Sequence, residues 1–311
     1  MREKYVICTN SGIKTIKSLI SKMSDVVFVS ISKPGPKRKV IYYKNGKIID
    51  KKFLGDCLTI NNSIIIRYGS AFPIKGEGNI VYNEPSNIIL SSNKMKSRKE
   101  MTELKVSCPT VYDLKNRIRK FPLVVRPFKH SKGKDFTILK NPIELEVFKN
   151  NNPTGYYYSE FVKKEKEFRV HCAHGKILLI KEKPEPKDGN PIWNIDANGE
   201  AFVYIPWEEY NFPGMRDVCL QSLKATKALG LDFAAIDIML RNNVAYVLEA
   251  NTAPSLYTAE YTEGRYIKYF EYLFNLSKNQ KLSHWDYSSF KEADSLAWKN
   301  NQLISNKNVI K

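Results

Sequence analysis

Short apolar runs alternate with a helical segment through the first part of the chain. The runs have the length of buried strands, and the helical segment 12–23 follows a turn that ends at Gly12. Asn45-Gly46 lies between two of the runs and is typical of a hairpin turn. This pattern predicts a small α/β domain over residues 1–92. Its expected strands are 4–9, 26–31, 40–43, 47–49 and 63–68.

Longer strands and better-marked helices follow beyond residue 92. The segment 93–104 has helical spacing, and 217–229 has apolar residues at i, i+3 and i+4 before Gly230, a typical helix end. The aromatic-rich segment 265–276 is also expected to be helical, whereas 277–311 is polar and is interpreted as a docked tail or a helical extension. The expected strands of this part are 121–126, 136–139, 156–162, 167–171 and 176–181.

Acidic residues interrupt the apolar runs of a further predicted hairpin, with strands 234–240 and 244–250. Asp237 lies in the first strand, and Glu249 and Asn251 share one face of the second. Counting back through the turn places Asp237 opposite Glu249 to within about one residue. Because neighbouring buried carboxylates need compensation, we expect a hard cation such as Mg²⁺, which also accepts phosphate oxygens. The alternative is a solvent-edge hairpin whose acidic side chains face water.

The composition is that of a globular protein, with 311 residues, 42% hydrophobic and 12% aromatic. No apolar run is long enough for a membrane span or a secretion signal. The five cysteines are odd in number and form no C-x-x-C pair. Reduced thiols in a cytoplasm are therefore expected.

The net charge of +18 suggests attraction to nucleic acid, a membrane surface or an acidic peptide. The alternative is a compositional bias, since basic residues are spread from Lys4 to Lys311 without a run of five or six like charges. The even spread favours the compositional interpretation.

Two further patterns join the acidic hairpin in indicating ATP. A basic strand–turn–strand element runs from Arg126 to Lys134 and contains Gly133, and such a turn lets backbone N–H groups approach phosphate. The segment from Glu160 to Val162 offers a backbone hinge with an apolar wall for adenine. Neither pattern is specific by itself. Other nucleotide motifs are absent, because the chain has neither a P-loop nor a dinucleotide glycine fingerprint.

His171 and His174 are interpreted as structural residues rather than metal ligands. Residues at i and i+3 of a strand point to opposite faces, so the two side chains are expected to lie apart.

Three motifs together resemble the ATP-grasp superfamily, in particular its carboxylate–amine ligases such as ribosomal-protein glutamate ligases and D-alanine–D-alanine ligases. They are Asp237 followed by the segment 248–255, the spacing of Glu160 and Glu167, and the helix that opens at Lys94. The resemblance spans about residues 83–274. It implies α/β architecture with an N-terminal pre-ATP-grasp domain at 1–92. An ATP-grasp domain at 93–276 would follow, with two α+β lobes (about 93–162 and 163–276) enclosing the nucleotide, and then the tail 277–311.

The resemblance also implies roles for individual residues. Where the family has a lysine this chain has Arg126, and His130 and Asp135 replace glycines, so a stiffer glycine loop is expected. Two Mg²⁺ ions are implied at the metal residues, with Mn²⁺ as an alternative. The implied nucleotide-binding residues are Lys94, Arg126, Ser131, Gly133, Glu160, Phe161, Val162, Glu167 and Lys181; the metal ligands are Asp237, Glu249 and Asn251; the catalytic residues are Arg126, Lys181, Arg169 and Ser255.

The reaction implied is attack of a substrate carboxylate on the γ-phosphate, followed by capture of the acyl phosphate by an amine. The carboxylate belongs to a small molecule, a peptide or a protein, and the sequence does not distinguish these. Two alternatives stay open. One is a kinase of the same superfamily that phosphorylates a hydroxyl, and the other is a basic nucleic-acid-binding protein with a regulatory ATP site.

Overall fold

Most of the chain up to residue 275 is described by a computed structural model. The described residues are 2–9, 12–13, 16–32, 38–113, 118, 120–128, 136–152, 154–187, 189, 193, 202–205, 212–256 and 260–275. The predicted tail 277–311 therefore lies outside the described residues.

The N-terminal part forms a six-stranded sheet in the order β4-β3-β2-β1-β6-β8. The strands β1, β2, β6 and β8 are parallel, and β3 and β4 form an antiparallel hairpin at one edge. Asn45 and Gly46 both have positive φ, which confirms the predicted hairpin turn. The elements are β1 (Glu3–Thr9), α1 (Lys17–Lys22), β2 (Val27–Ile31), β3 (Arg38–Lys44), β4 (Lys47–Leu54), β5 (Leu58–Thr59), β6 (Ser63–Tyr68), β7 (Ile74–Lys75) and β8 (Ile80–Tyr82).

A central lobe follows, with a four-stranded sheet in the order β11-β10-β12-β9. One face of this sheet packs on helix α4 through a small core that includes Leu123, Val125, Leu145 and Tyr158. On the other face Val124, Tyr157 and Ser159 are buried as well. The elements of this part of the chain are α2 (Pro85–Ser92), α3 (Lys94–Glu103), β9 (Val111–Tyr112), β10 (Leu123–Pro127), β11 (Thr137–Leu139), α4 (Pro142–Asn151) and β12 (Tyr156–Glu160). Of these, α3 contributes Met101 to the core that contains Phe168 and Ile236, not to the core of the central sheet.

The C-terminal lobe is built on an antiparallel five-stranded sheet in the order β15-β14-β13-β16-β17. Helix α5 covers one face, where Phe168, Val170, Ile236 and Ile238 are buried together with apolar residues of the helix. The elements are β13 (Lys166–Ala173), β14 (Lys176–Lys183), β15 (Val203–Tyr204), α5 (Met215–Ala228), β16 (Phe233–Arg241), β17 (Val244–Asn251) and α6 (Glu260–Asn275).

Helix α6 joins the N-terminal domain to the C-terminal lobe. Its Tyr266 and Phe270 are buried in one core with Tyr68 of the N-terminal sheet and Phe233 of β16. Next to this core, the Asn83 side chain accepts from the backbone N–H of Asp232 at 2.9 Å and donates to the Phe233 carbonyl at 3.0 Å. The two units therefore share one hydrophobic core, whereas the central sheet has its own.

Both histidines of the motif pack against α6, so the expectation that they lie apart was wrong. His171 Nδ1 lies 2.9 Å from the hydroxyl of Tyr266, and His174 Nδ1 lies 2.6 Å from that of Tyr269. A register shift next to His171 and a left-handed turn at His174 rotate the two rings toward the same helix. The rings contact tyrosines one helical turn apart.

Within the described ranges, none of the helices combines the length and the apolar character that a bilayer-spanning helix needs.

Candidate nucleotide and metal site

One row of side chains crosses the C-terminal sheet on the face opposite α5. Residues paired directly across antiparallel strands point to the same face. The predicted opposition of Asp237 and Glu249 is confirmed by the register of β16 and β17. The full row, from β15 to β17, is Tyr204, Lys181, Arg169, Asp237 and Glu249.

Arg169 and Asp237 form a bidentate ion pair at the centre of this row. Arg169 Nε lies 2.7 Å from Asp237 Oδ1, and Nη2 lies 2.8 Å from Oδ2. Asp237 is only 5% exposed. Burial disfavours its charged form, but the guanidinium outweighs burial and holds the pKa of Asp237 below its ordinary value. The carboxylate is therefore charged and fixed in orientation.

Lys94 reaches the second carboxylate of the row from helix α3. Its Nζ lies 2.8 Å from Glu249 Oε2. The helix begins at Lys94 because the Asn93 side chain caps it by accepting from the backbone N–H of Lys96 at 3.1 Å. The first residue of the predicted helix thus contacts the acidic hairpin directly.

Lys181 is buried beside Arg169 on the same face. Burial, together with the neighbouring guanidinium, lowers the pKa of Lys181 to about 8. A phosphate oxygen placed next to this ammonium would favour its charged form. Lys181 is thus suited to bind an anion above this sheet.

The cleft-side face of the central sheet carries Arg126. Arg126 pairs with Tyr157 and Val124 pairs with Ser159, on the face away from α4. The Arg126 guanidinium lies 5.0 Å from the centre of the Phe136 ring. The cation of this face is therefore held between a neighbouring strand and an aromatic ring.

The predicted adenine hinge is the link between the two sheets. Glu160 ends β12, and its carboxylate accepts from the backbone N–H and hydroxyl of Thr110 at 3.3 and 3.2 Å. The Phe161 N–H donates to the Pro122 carbonyl at 3.2 Å, and Val162 is buried. These contacts hold the link against the central lobe, and the adenine contacts of the hinge stay a prediction.

Glu167 lies two residues from Arg169 on the same face and is 3% exposed. Its two carboxylate oxygens accept from the ammonium groups of Lys164 and Lys183. Sequence reasoning missed both lysines. A carboxylate has about four acceptor positions, so the predicted contact with a ribose hydroxyl is compatible with these ion pairs and stays a prediction.

The segment after β17 packs against the N-terminal domain. The Asn251 side chain accepts from the Ala253 N–H at 2.9 Å, and the Tyr68 hydroxyl donates to the Pro254 carbonyl. A Cβ on Gly69 would lie 2.5 Å from the Ala253 Cβ. This contact places the segment that carries Ser255 at the carboxyl end of β6, the edge where open α/β sheets bind ligands.

The comparisons with known proteins agree with this geometry. No protein-family model matches the chain. A protein of Alkalilimnicola ehrlichii named "Probable alpha-L-glutamate ligase" is 25% identical over 263 residues, which cover 79% of this chain and 83% of the relative.

Two solved structures share the architecture over nearly their whole length. A D-alanine–D-alanine ligase from Bacillus anthracis in complex with ATP matches with a TM-score of 0.54 and 13% identity, over 88% of this chain and 96% of the other. A Chryseobacterium gregarium RiPP-associated ATP-grasp ligase, in complex with ADP and a leader and core peptide, has a TM-score of 0.55 and 14% identity. That match covers 91% of this chain and all of the other. The chain has the ATP-grasp fold.

The ATP-grasp fold predicted from the sequence is thus confirmed, and the predicted ligase class agrees with the names of these relatives. The glycine-loop residues Ser131 and Gly133, with the departures His130 and Asp135, lie outside the described residues. Their roles stay predictions.

The residues of this ATP-grasp site fit a magnesium ion. Asp237 and Glu249 present carboxylates side by side, and Asn251 adds an amide oxygen on the same face. In the described part of the chain no three His, Cys, Asp or Glu side chains come together as a metal site. Two carboxylates, one amide and the oxygens of a phosphate are the donor set that Mg²⁺ prefers, whereas a zinc site would need nitrogen or sulfur ligands.

Arg98 is a further residue of the site that sequence reasoning missed. It follows Lys94 by four positions, so the two side chains share a face of α3. Arg98 is only 4% exposed, and its guanidinium lies 5.7 Å from the centre of the Tyr157 ring. In the sequence, Arg98 looks like a solvent-exposed residue because the helix is rich in basic residues. Its spacing of four positions from Lys94 is the signal that could have placed it near the candidate site.

Proposed function

We propose that the chain is an ATP- and Mg²⁺-dependent ligase that joins a carboxylate to an amine. The observation that carries the proposal is the row of Lys181, Arg169, Asp237 and Glu249, which places two cations next to two carboxylates on one face of the C-terminal sheet. Such a surface matches a triphosphate with its metal. The names of the relatives support amino acids or peptides as the substrates.

In the first step a substrate carboxylate oxygen forms a bond to the γ-phosphorus, and the bond from that phosphorus to the β–γ bridging oxygen breaks. ADP leaves with the electron pair. Lys94, Arg126 and Lys181 bind the phosphate oxygens and stabilise the charge that spreads over them. Asp237, Glu249 and Asn251 would hold Mg²⁺, which would neutralise part of the phosphate charge.

In the second step the amine nitrogen attacks the acyl carbon, inorganic phosphate leaves, and the amine loses a proton to solvent. Arg169 stays locked to Asp237 and thereby fixes the direction of that carboxylate. Ser255 lies at the edge of the N-terminal sheet, where the substrates would enter.

The test is ADP release with Mg-ATP across amino acids, polyamines and acidic peptides, with mass spectrometry of the products. We expect amide formation in the wild type and a loss of at least about 100-fold in rate for Glu249→Ala. The matched control is Glu182→Ala, on the same sheet but paired with Phe168 on the opposite face. A stable phosphorylated hydroxyl would instead identify a kinase, and failure to bind Mg-ATP would contradict the proposal altogether.

A further inference from the structure

Two arginines, one of helix α3 and one of the central sheet, are neighbours of Tyr157. Arg98 comes from the helix and Arg126 from β10, and Tyr157 of β12 contacts Arg98 through its ring. Arg126 and Glu249 both act electrostatically on Arg98. The pair is thus adjacent to the acidic end of the row on the C-terminal sheet.

Both guanidiniums keep buried N–H groups without a hydrogen-bond partner. Among the residues that the structure describes, Nε and Nη1 of Arg98 and Nε of Arg126 have no acceptor. A buried donor without a partner typically costs about 1–3 kcal/mol, and more when it is charged. Burial lowers the pKa of Arg98 and the neighbouring Arg126 lowers it further, whereas Tyr157 and Glu249 act in the opposite direction.

We propose that Arg98 and Arg126 form an anion site that takes the terminal phosphoryl group of the nucleotide. This inference rests on the proposed function, because that function supplies the ligand. Arg98 is a nucleotide-binding residue in this assignment, and its planar fork binds two phosphoryl oxygens at once.

A phosphoryl group fits this site better than a substrate carboxylate. It carries more negative charge and a third oxygen, so that two guanidiniums and Lys94 each find an acceptor. Lys94 lies one helical turn before Arg98 and contacts Glu249, so its ammonium would bridge the phosphoryl group and this carboxylate. A carboxylate, with a single charge, would leave part of this set unpaired.

The first experiment measures tripolyphosphate binding by calorimetry in the absence of nucleotide and acceptor. We expect the wild type to bind it and Arg98→Met to bind it about 10- to 100-fold more weakly. The matched control is Lys99→Met, which removes one charge from the next position of the same helix, where the side chain is 79% exposed. Equal affinity of the wild type and Arg98→Met for tripolyphosphate would overturn the assignment.

The second experiment separates ligand contact from a structural role under Tyr157. If Arg98 binds the terminal phosphoryl group, Arg98→Met weakens ATP at least about 10-fold more than ADP. If Arg98 only supports the fold, both nucleotides weaken alike, which overturns the proposal. Arg98→Lys keeps the charge but loses the fork, and we expect its ATP-to-ADP preference to lie between the other two; this variant decides the question if Arg98→Met does not fold.

Neither experiment requires turnover. A protein that binds tripolyphosphate through Arg98 but joins no substrates would support the anion site and contradict the ligase. If the protein joins substrates but its Arg98→Met variant keeps the full preference for ATP, the ligase proposal is supported and the anion site is contradicted.

Discussion

Burial makes Asp237 dependent on a single partner. Arg169 supplies both hydrogen bonds to its carboxylate, and it does so from a strand that lies far away in the sequence. We expect Arg169→Met to lower the free energy of unfolding by about 3–5 kcal/mol, because a buried charge is left uncompensated. Denaturant unfolding at neutral pH measures this loss.

Removal of both partners should recover much of that stability, so Arg169→Met with Asp237→Asn is the control. The pair's contribution is present above the ordinary pKa of an aspartate and is lost as the pH falls through the lowered pKa of Asp237. A single variant as stable as the double variant would contradict this account.

We expect Lys181 to set the pH dependence of nucleotide binding. Its pKa of about 8 means that the ammonium is present below pH 8 and is lost as the pH rises further. Bound phosphate raises the pKa in the complex, so ATP affinity should fall by up to about tenfold per pH unit above pH 8. Calorimetry across pH 7 to about 9.5 checks this.

Lys181→Met should bind ATP weakly and without that fall, whereas Lys166→Met, on the surface of the next strand, should behave like the wild type. The assignment fails if Lys181→Met and the wild type show the same pH profile.

At the scale of the element, we expect the contact of Gly69 with the segment after β17 to position the substrate side of the proposed site. Gly69 has φ of +69°, and an added Cβ would collide with Ala253. We expect Gly69→Ala to cost about 1–3 kcal/mol and to raise the KM for the amine or carboxylate substrate more than the KM for ATP. Steady-state kinetics with each substrate varied in turn measures the difference.

Gly55→Ala is the matched control, because no atom lies within 4 Å of its added Cβ. Ala253→Gly in the Gly69→Ala background removes the collision but not the backbone strain, so partial recovery is expected. Equal rises in the KM for ATP and for the other substrate would contradict the positional role of Gly69.

Local patterns were sufficient for the hairpin β16–β17 and for the start of α3. The period of two along a strand and a tight turn determine which residues face each other, so the opposition of Asp237 and Glu249 follows from sequence. The N-cap residue Asn93 likewise marks the helix start. Both features depend on residues close together in the chain.

Contacts between distant segments could not be predicted in the same way. Arg98 meets Tyr157 of β12, and Arg169 meets Asp237 only because β13 pairs with β16. The relative orientation of His171 and His174 was predicted wrongly because the argument assumed a regular strand. A register shift and a left-handed turn interrupt that strand.

At the scale of the whole molecule, the shared core under α6 joins two of the three parts. The protein therefore consists of two bodies. The N-terminal domain and the C-terminal lobe are buried against each other, while the central sheet has a core of its own. Relative motion is the default between bodies with separate cores. We therefore expect the central sheet to rotate as a rigid body relative to the rest of the protein. The distance from Asp237 and Glu249 to the edge of the N-terminal sheet near Gly69 should stay constant. Nucleotide exchange would then change the distance between the central sheet and the C-terminal sheet. The spacing between the proposed metal site and the proposed substrate site would not change.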